Sequence, residues 1–171
     1  EKLATVKKEA VAAYSASGAD IGLSNVSIGD TIKYKLTVTY NPSANAVQYS
    51  NIKLTDTLTG DVFTLEGPTE QNGNREERYV GYTVRAEDIK NEQIVNKAEL
   101  TYDYVAKFNA SSGSADDEAA AEVNVVNLVS YSYTGSVLPD GASEVLPVPE
   151  SHKMGELVMV APVPQLEGYT F

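Results

Sequence analysis

The feature that most constrains the fold of this chain is a strict alternation of apolar and polar residues. It is clearest in Thr31–Tyr40, where one face carries only large apolar or aromatic side chains: Ile32, Tyr34, Leu36, Val38 and Tyr40. Lysines and threonines occupy the other face. Successive side chains of a strand point to opposite sides, so a period of two is typical of a half-buried strand. No long amphipathic helical pattern occurs, and the sequence predicts an all-β protein.

Further short alternating segments are separated by turns rich in Gly, Pro, Asn and Asp. The predicted strands are Ala4–Ala10, Thr31–Tyr40, Ile52–Leu58, Val62–Leu65, Arg78–Arg85, Gln93–Tyr104 and Ala120–Asn127. Residues 66–74 and 109–117 are predicted loops, and residues 86–90 a short turn or helical loop. Seven or eight strands within residues 1–127 indicate an immunoglobulin-like antiparallel β-sandwich, without the Cys and Trp signature of antibody domains.

A second, smaller unit is predicted from residue 128 onward. It contains predicted strands at Val129–Tyr133 and Leu157–Pro162, with a Pro-Asp-Gly turn between them at Leu138–Ala142. So few residues are marginal for an independent core. We therefore expect one domain over residues 1–127 and a partial module over residues 128–171, which we expect to be truncated or proteolysed.

Composition and charge exclude several classes of function. The formal net charge of −11 disfavours contact with nucleic acid or with anionic lipid, both of which require a positive surface. No apolar run is long enough to span a bilayer. The chain opens at Glu1 without a signal peptide, and we expect a secretory signal to have been removed or left out.

The residue inventory also argues against an enzyme. Cysteine is absent, so disulfides and thiolate chemistry are excluded. The single histidine, His152, lies in a polar stretch and is predicted to be a solvated loop residue rather than a metal ligand. Asp116, Asp117 and Glu118 lack the ligand spacing of a calcium loop and are predicted to lie in a solvated loop. We expect neither a metal nor a cofactor.

Three polar residues share the apolar face of their predicted strands. Lys8 alternates in phase with Ala4, Val6 and Ala10; Asp56 with Ile52, Leu54 and Leu58; Asn96 with Ile94, Ala98 and Leu100. Burying such groups without partners would cost several kcal/mol each. They therefore form a buried Lys8–Asp56 ion pair hydrogen-bonded to Asn96, or lie exposed at an edge strand, or react with one another.

The reactive alternative is an intramolecular isopeptide bond. Burial favours the neutral amine of Lys8, which then acts as a nucleophile toward the Asn96 carboxamide. A protonated Asp56 would hydrogen-bond that carboxamide and polarise its carbonyl. Ammonia would leave, and two strands would be joined covalently.

Four motifs around these residues follow one another along the chain. They are Val6-Lys7-Lys8, Ile28–Val38 with its Gly29-Asp30-Thr31 turn, Leu54–Leu58 and Ile94–Leu100. Over residues 5–126 the chain resembles the isopeptide-forming domains of Gram-positive pilins and collagen-adhesin-type surface proteins. The resemblance implies Lys8 and Asn96 as the crosslinked pair and Asp56 as the proton shuttle. Two features depart from the pattern: Lys7 is adjacent to Lys8, although alternation favours Lys8, and Val11–Val26 is long. Relatives without a crosslink share much of the pattern, so an unlinked triad stays open.

The C-terminal segment has a resemblance of its own. Residues 129–135, 153–158 and 167–171 are similar to small repeat modules of bacterial surface adhesins, of the mucin-binding-protein and internalin type. That resemblance implies a β-grasp-like fold, although the usual Gly-Trp strand is missing. Tyr131, Tyr133 and Tyr169 are interpreted as core or pleat residues rather than a ligand platform.

These observations favour a structural stalk segment of a bacterial cell-surface adhesin or pilus, whose only chemistry is its own crosslinking. It would be extracellular and attached to the cell wall through sequence outside this chain, with neighbouring domains of the same protein as partners. A second hypothesis is a module that binds host glycan or matrix protein through the loops Asn41–Tyr49 or Glu66–Arg78. A third is an accessory domain of a secreted enzyme.

Overall fold

The computed structural model describes residues 2–41, 47–107, 111–132, 140–152 and 155–168. Within them the strands are β1 (Ala4–Tyr14), β2 (Thr31–Tyr40), β3 (Val47–Asp56), β4 (Val62–Thr64), β5 (Arg75–Thr83), β6 (Gln93–Ala106), β7 (Ser111–Asn124), β8 (Asn127–Val129) and β9 (Glu150–His152). Short 3₁₀ turns lie at Asp88–Asn91 and Ala142–Val145. The predicted all-β class is confirmed.

Two antiparallel sheets enclose one hydrophobic core. The first has the strand order β1-β2-β5, and the second has the order β4-β3-β6-β7. Their inward side chains are fully buried, among them Leu36 of the first sheet and Leu54 and Leu100 of the second. Leu54 and Leu100 are directly opposite each other in the β3–β6 register. This arrangement confirms the predicted sandwich.

The two sheets also meet along one side, where β1 lies against β7. Edge strands normally leave backbone groups unpaired. Here side chains of the second sheet accept from β1: the Ala4 amide donates to Tyr102 Oη (3.0 Å) and the Val6 amide to Asp117 Oδ2 (2.8 Å). Because β1 is fixed to both sheets, the inward side chain of Lys8 faces β3 and β6.

Several strand boundaries differ from the sequence prediction. β1 continues beyond a bulge at Ala10 to Tyr14, and β3 begins at Val47 rather than Ile52. The predicted loop over 109–117 is wrong from Ser111 onward, because β7 begins there and pairs with β6 along its whole length. Ser111–Ser114 carry no apolar alternation. Backbone pairing with a long neighbour makes this segment a strand without a hydrophobic pattern.

The C-terminal part differs more from its prediction. Its described residues contain one two-stranded sheet, in which β8 pairs with β9. The predicted strand at Leu157–Pro162 is wrong: these residues form no ladder, and Leu157 is 92% exposed. The strand predicted at Val129–Tyr133 is also misplaced, because β8 ends at Val129 and Tyr133 lies outside the described residues. The β-grasp-like arrangement stays a prediction.

In the part of the chain that the structure describes, no helix has the length and apolar character needed to cross a membrane.

Candidate functional site

Lys8 enters the core from β1. It is paired with Leu36 in the β1–β2 register, and its side chain is completely buried. Its neighbour Lys7 points to the opposite face, has a 69% exposed side chain and pairs with Glu9 at 2.7 Å. The alternation of the strand therefore distinguishes the two lysines, and Lys8 is the one inside.

Asp56 ends β3, and a tight turn holds its side chain in place. Its Oδ1 accepts hydrogen bonds from the Leu58 amide (3.1 Å), the Thr59 amide (2.9 Å) and Thr59 Oγ1 (3.2 Å). An aspartate that accepts from amides two and three residues later is a common way to start a turn. Because Oδ1 is occupied in this way, Oδ2 is the oxygen directed into the core.

Asn96 reaches the same point from β6. Asp56 is directly opposite Ala98 in the β3–β6 register, so Asn96 is its diagonal neighbour on the inner face. Asn96 Nδ2 donates to Asp56 Oδ2 at 3.1 Å, and Lys8 Nζ donates to that same oxygen. One carboxylate oxygen thus contacts both the amine of Lys8 and the amide nitrogen of Asn96.

The remaining contacts of Lys8 fix the direction of its amine. Nζ donates to the backbone carbonyl of Lys97 at 3.0 Å, and it lies 5.3 Å from the centroid of the Tyr34 ring. All three predicted site residues are buried, and the structure brings them together. Sequence reasoning did not identify the Lys97 carbonyl, because a backbone acceptor leaves no trace in side-chain patterns.

Burial and pairing act in opposite directions on the two charges. Desolvation is the largest influence on Lys8 and lowers its pKa, against the opposing effect of Asp56. Desolvation by itself raises the pKa of Asp56, but hydrogen bonds from Lys8, Thr59 and Asn96 outweigh it and hold the pKa below its usual range. The lowered pKa of Asp56 favours its carboxylate form, whereas the sequence analysis predicts a protonated Asp56.

A second expectation is also corrected. We predicted that Asp56 would hydrogen-bond the Asn96 carboxamide so as to polarise its carbonyl. The structure instead places the amide nitrogen against Asp56, while Asn96 Oδ1 is buried and has no hydrogen-bond partner among the described residues. Asp56 is consequently placed to move protons between two nitrogens, and it does not contact the carbonyl oxygen.

Among the residues that the structure describes, two other acidic side chains are buried outside this site. Asp117 is 8% exposed in β7, so the prediction of a solvated loop for it is wrong; it binds the Val6 amide and pairs with Lys2. Glu76 of β5 is 7% exposed and accepts from Tyr40 Oη and the Gly67 amide, both at 2.8 Å. The sequence contained a signal for both. If the predicted strands are extended toward the N-terminus, alternation places Glu76 and Asp117 on the inner faces of β5 and β7.

His152 also departs from its prediction. It lies in β9, its side chain is 14% exposed, and its ring nitrogens lie 3.6 Å from Glu150 and 3.5 Å from Glu156. It is thus a partly enclosed strand residue rather than a solvated loop residue. Among the described residues, no group of three or more His, Cys, Asp or Glu side chains could hold a metal ion.

Of the three tyrosines predicted to be core or pleat residues, only Tyr131 lies in the described part of the chain. It is partly buried, and its hydroxyl accepts a hydrogen bond from the Ala161 amide at 2.8 Å. Tyr133 and Tyr169 lie outside the described residues.

Comparison of the chain with known proteins found no matching family model, no matching curated protein and no matching solved structure.

Proposed function

We propose that the sandwich is a structural stalk segment of a bacterial cell-surface adhesin or pilus, stabilised by a self-formed isopeptide bond between Lys8 and Asn96. The observation that carries the proposal is the position of Asp56 Oδ2, which contacts the nucleophile and the leaving nitrogen in a site closed to solvent. As such a segment it would be extracellular, and its partners would be the neighbouring domains of the same surface protein.

The contacts support a balanced reaction. A proton passes from Lys8 Nζ to Asp56 Oδ2, and the neutral amine attacks Asn96 Cγ. The C=O electron pair moves to Oδ1. Asp56 returns its proton to Nδ2 and then accepts the second proton of Nζ. The electron pair on Oδ1 re-forms the C=O bond, the Cγ–Nδ2 bond breaks, and ammonia leaves with Asp56 protonated. One amide replaces another, so neither an oxidant nor a cofactor is required.

The position of this bond supports a mechanical role. It would join β1 of the first sheet to β6 of the second, strands that share no ladder. Force applied across the sandwich would then pass through a covalent link instead of backbone hydrogen bonds and apolar contacts. An amide also resists reduction, and it would stabilise a chain without cysteine in the way that a disulfide stabilises others.

Intact mass measured under denaturing conditions tests the proposal. We expect wild type to weigh one ammonia less than its sequence. Lys8→Ala, Asp56→Ala and Asn96→Ala should each restore the full mass, whereas Lys7→Ala, the matched control, should keep the deficit. An unmodified mass in folded wild type would contradict the bond. A mass deficit lost only in Lys7→Ala would show that the bond uses Lys7 rather than Lys8.

A second candidate function, binding of a host glycan or matrix protein, is favoured by one groove. Parts of the two loops that we predicted as binding loops line it together: Asn41, Gln48 and Tyr49 from one side, Glu66 and Asn74 from the other. Amide and carboxylate side chains of this kind hydrogen-bond sugar hydroxyls. An NMR titration with soluble oligosaccharides would test it: shifts confined to this groove in wild type and lost in Gln48→Ala would support binding.

A further inference from the structure

The proposed reaction lacks one component in the contacts described so far. When the amine attacks, negative charge develops on Asn96 Oδ1, and enzymes that break amides direct hydrogen-bond donors at that oxygen. Asp56 cannot supply a donor there, since its Oδ1 is occupied by the turn and its Oδ2 faces the two nitrogens. Asn96 Oδ1 is buried and has no hydrogen-bond partner among the described residues.

The same core contains a buried hydrogen-bond donor that also lacks a partner. Tyr34 is fully buried, and its hydroxyl has no hydrogen-bond partner in the described part of the chain. Leaving a buried polar group unpaired is costly, so such groups are rare and call for an explanation. Two other side chains share this condition, but Thr37 lies on the outer face of β2 and His152 in β9.

Tyr34 already belongs to the site through its ring. The ring centroid lies 5.3 Å from Lys8 Nζ, within the range in which a cation is attracted to an aromatic face. Burial and the nearby charge of Asp56 raise the pKa of Tyr34, so its hydroxyl keeps its proton. The ring of Tyr34 therefore lies beside the nucleophile, and its buried hydroxyl is a protonated donor.

We propose that Tyr34 is a catalytic residue of the crosslinking reaction: its ring directs Lys8 Nζ, and its hydroxyl donates to Asn96 Oδ1 as the tetrahedral intermediate forms. This inference rests on the proposed function. The hydroxyl donates a hydrogen bond without transferring its proton, so the balance of the reaction is unchanged. As ammonia leaves, the electron pair on Oδ1 re-forms the C=O bond. The oxygen then loses its negative charge, and its hydrogen bond from the Tyr34 hydroxyl weakens.

The test compares Tyr34→Phe with wild type in a short pulse of synthesis, with intact mass followed over time. Tyr34→Phe keeps the ring and removes only the donor, and we expect it to lose ammonia about 100- to 1,000-fold more slowly. Tyr82→Phe is the matched control. Tyr82 is another buried tyrosine of the first sheet, but its hydroxyl donates to Asp88 at 2.8 Å, and the rate should not change.

A second measurement separates catalysis from structure. In an Asp56→Ala background, where no bond forms, Tyr34→Phe should leave the melting temperature unchanged or raise it, because it removes an unpaired buried group. Tyr82→Phe should lower it, because it breaks a hydrogen bond. A lower melting temperature for Tyr34→Phe in that background would make the role structural and overturn the proposal.

The outcomes for Tyr34 and for the crosslink are distinguishable. If wild type loses ammonia and Tyr34→Phe loses it at the same rate, the crosslink stands and the role of Tyr34 falls. If folded wild type keeps its full mass, both proposals fall together.

Discussion

The sandwich and the C-terminal segment contain similar apolar residues in opposite environments. Leu54 and Leu100 of the sandwich are completely buried, whereas Leu157 and Met159 of the segment are 92% and 86% exposed. The sandwich residues have paired strands on both sides and a second sheet above them. The exposed residues belong to no ladder. A β-prone apolar sequence becomes a core only where neighbouring strands cover it. Among the described residues, the sandwich provides the enclosed environment that the proposed reaction of Lys8 requires.

The largest expected effect is that of preventing the proposed crosslink in the sandwich. Lys8 and Asn96 are 88 positions apart (96 − 8), and a link closing such a loop is worth about 4–5 kcal/mol if the disulfide model applies. Asp56→Ala should therefore lower the melting temperature by about 10–20 °C and increase protease sensitivity. In single-molecule pulling it should extend between β1 and β6, where wild type extends little.

The control for this change is Asp61→Ala. Asp61 lies in the same turn but contacts Thr59 rather than Lys8. If Asp56→Ala and wild type melt together and extend to the same contour length, the sandwich is not a crosslinked stalk, and the binding-module hypothesis moves ahead.

A pair of truncations tests the contrast directly. Leu54→Ala should destabilise the protein by about 2–5 kcal/mol, because it opens a cavity in a packed core. Leu157→Ala should change stability by less than about 0.5 kcal/mol, because the side chain is already in solvent. Denaturant unfolding of both variants measures the difference. Equal costs would mean that a partner covers the C-terminal segment in solution.

Asp117→Asn tests the contact between β1 and β7 that Asp117 makes with the Val6 amide and with Lys2. We expect a loss of about 1–3 kcal/mol, because the carboxylate accepts from the Val6 amide and pairs with Lys2. Desolvation raises the pKa of Asp117, but its bonds to Lys2 and to backbone amides outweigh it and lower the pKa. A lowered folded-state pKa adds stability that is present above the unfolded-state value near 4 and is lost as pH falls through the folded-state value.

Wild type should therefore lose more stability than Asp117→Asn between about pH 5 and pH 2. Parallel pH profiles of the two proteins in thermal melts would show that Asp117 does not act through its charge.

The smallest expected effect is that of removing the C-terminal segment. Residues 1–127 should fold alone with nearly the melting temperature of the whole chain, whereas residues 128–171 alone should be weakly folded at best. NMR spectra of the two fragments would measure this. A well-dispersed, cooperatively melting C-terminal fragment would contradict the contrast between the regions.

Alternation in the sequence predicted the parts of the fold that a single strand determines. The bounds of β2 and the inward faces of Lys8, Asp56 and Asn96 follow from a period of two. The start of β7 does not, because Ser111–Ser114 are a strand only through pairing with β6. Likewise Tyr34 fits the apolar pattern of β2 perfectly well, and the isolation of its hydroxyl becomes visible only in three dimensions.

Proteolysis followed by mass spectrometry of the fragments tests the central claim most directly, because it identifies the joined residues. We expect one branched peptide that joins the fragments containing Lys8 and Asn96, lighter by one ammonia than their sum and absent from Asp56→Ala. Separate, unmodified fragments containing Lys8 and Asn96 from folded wild type would contradict it.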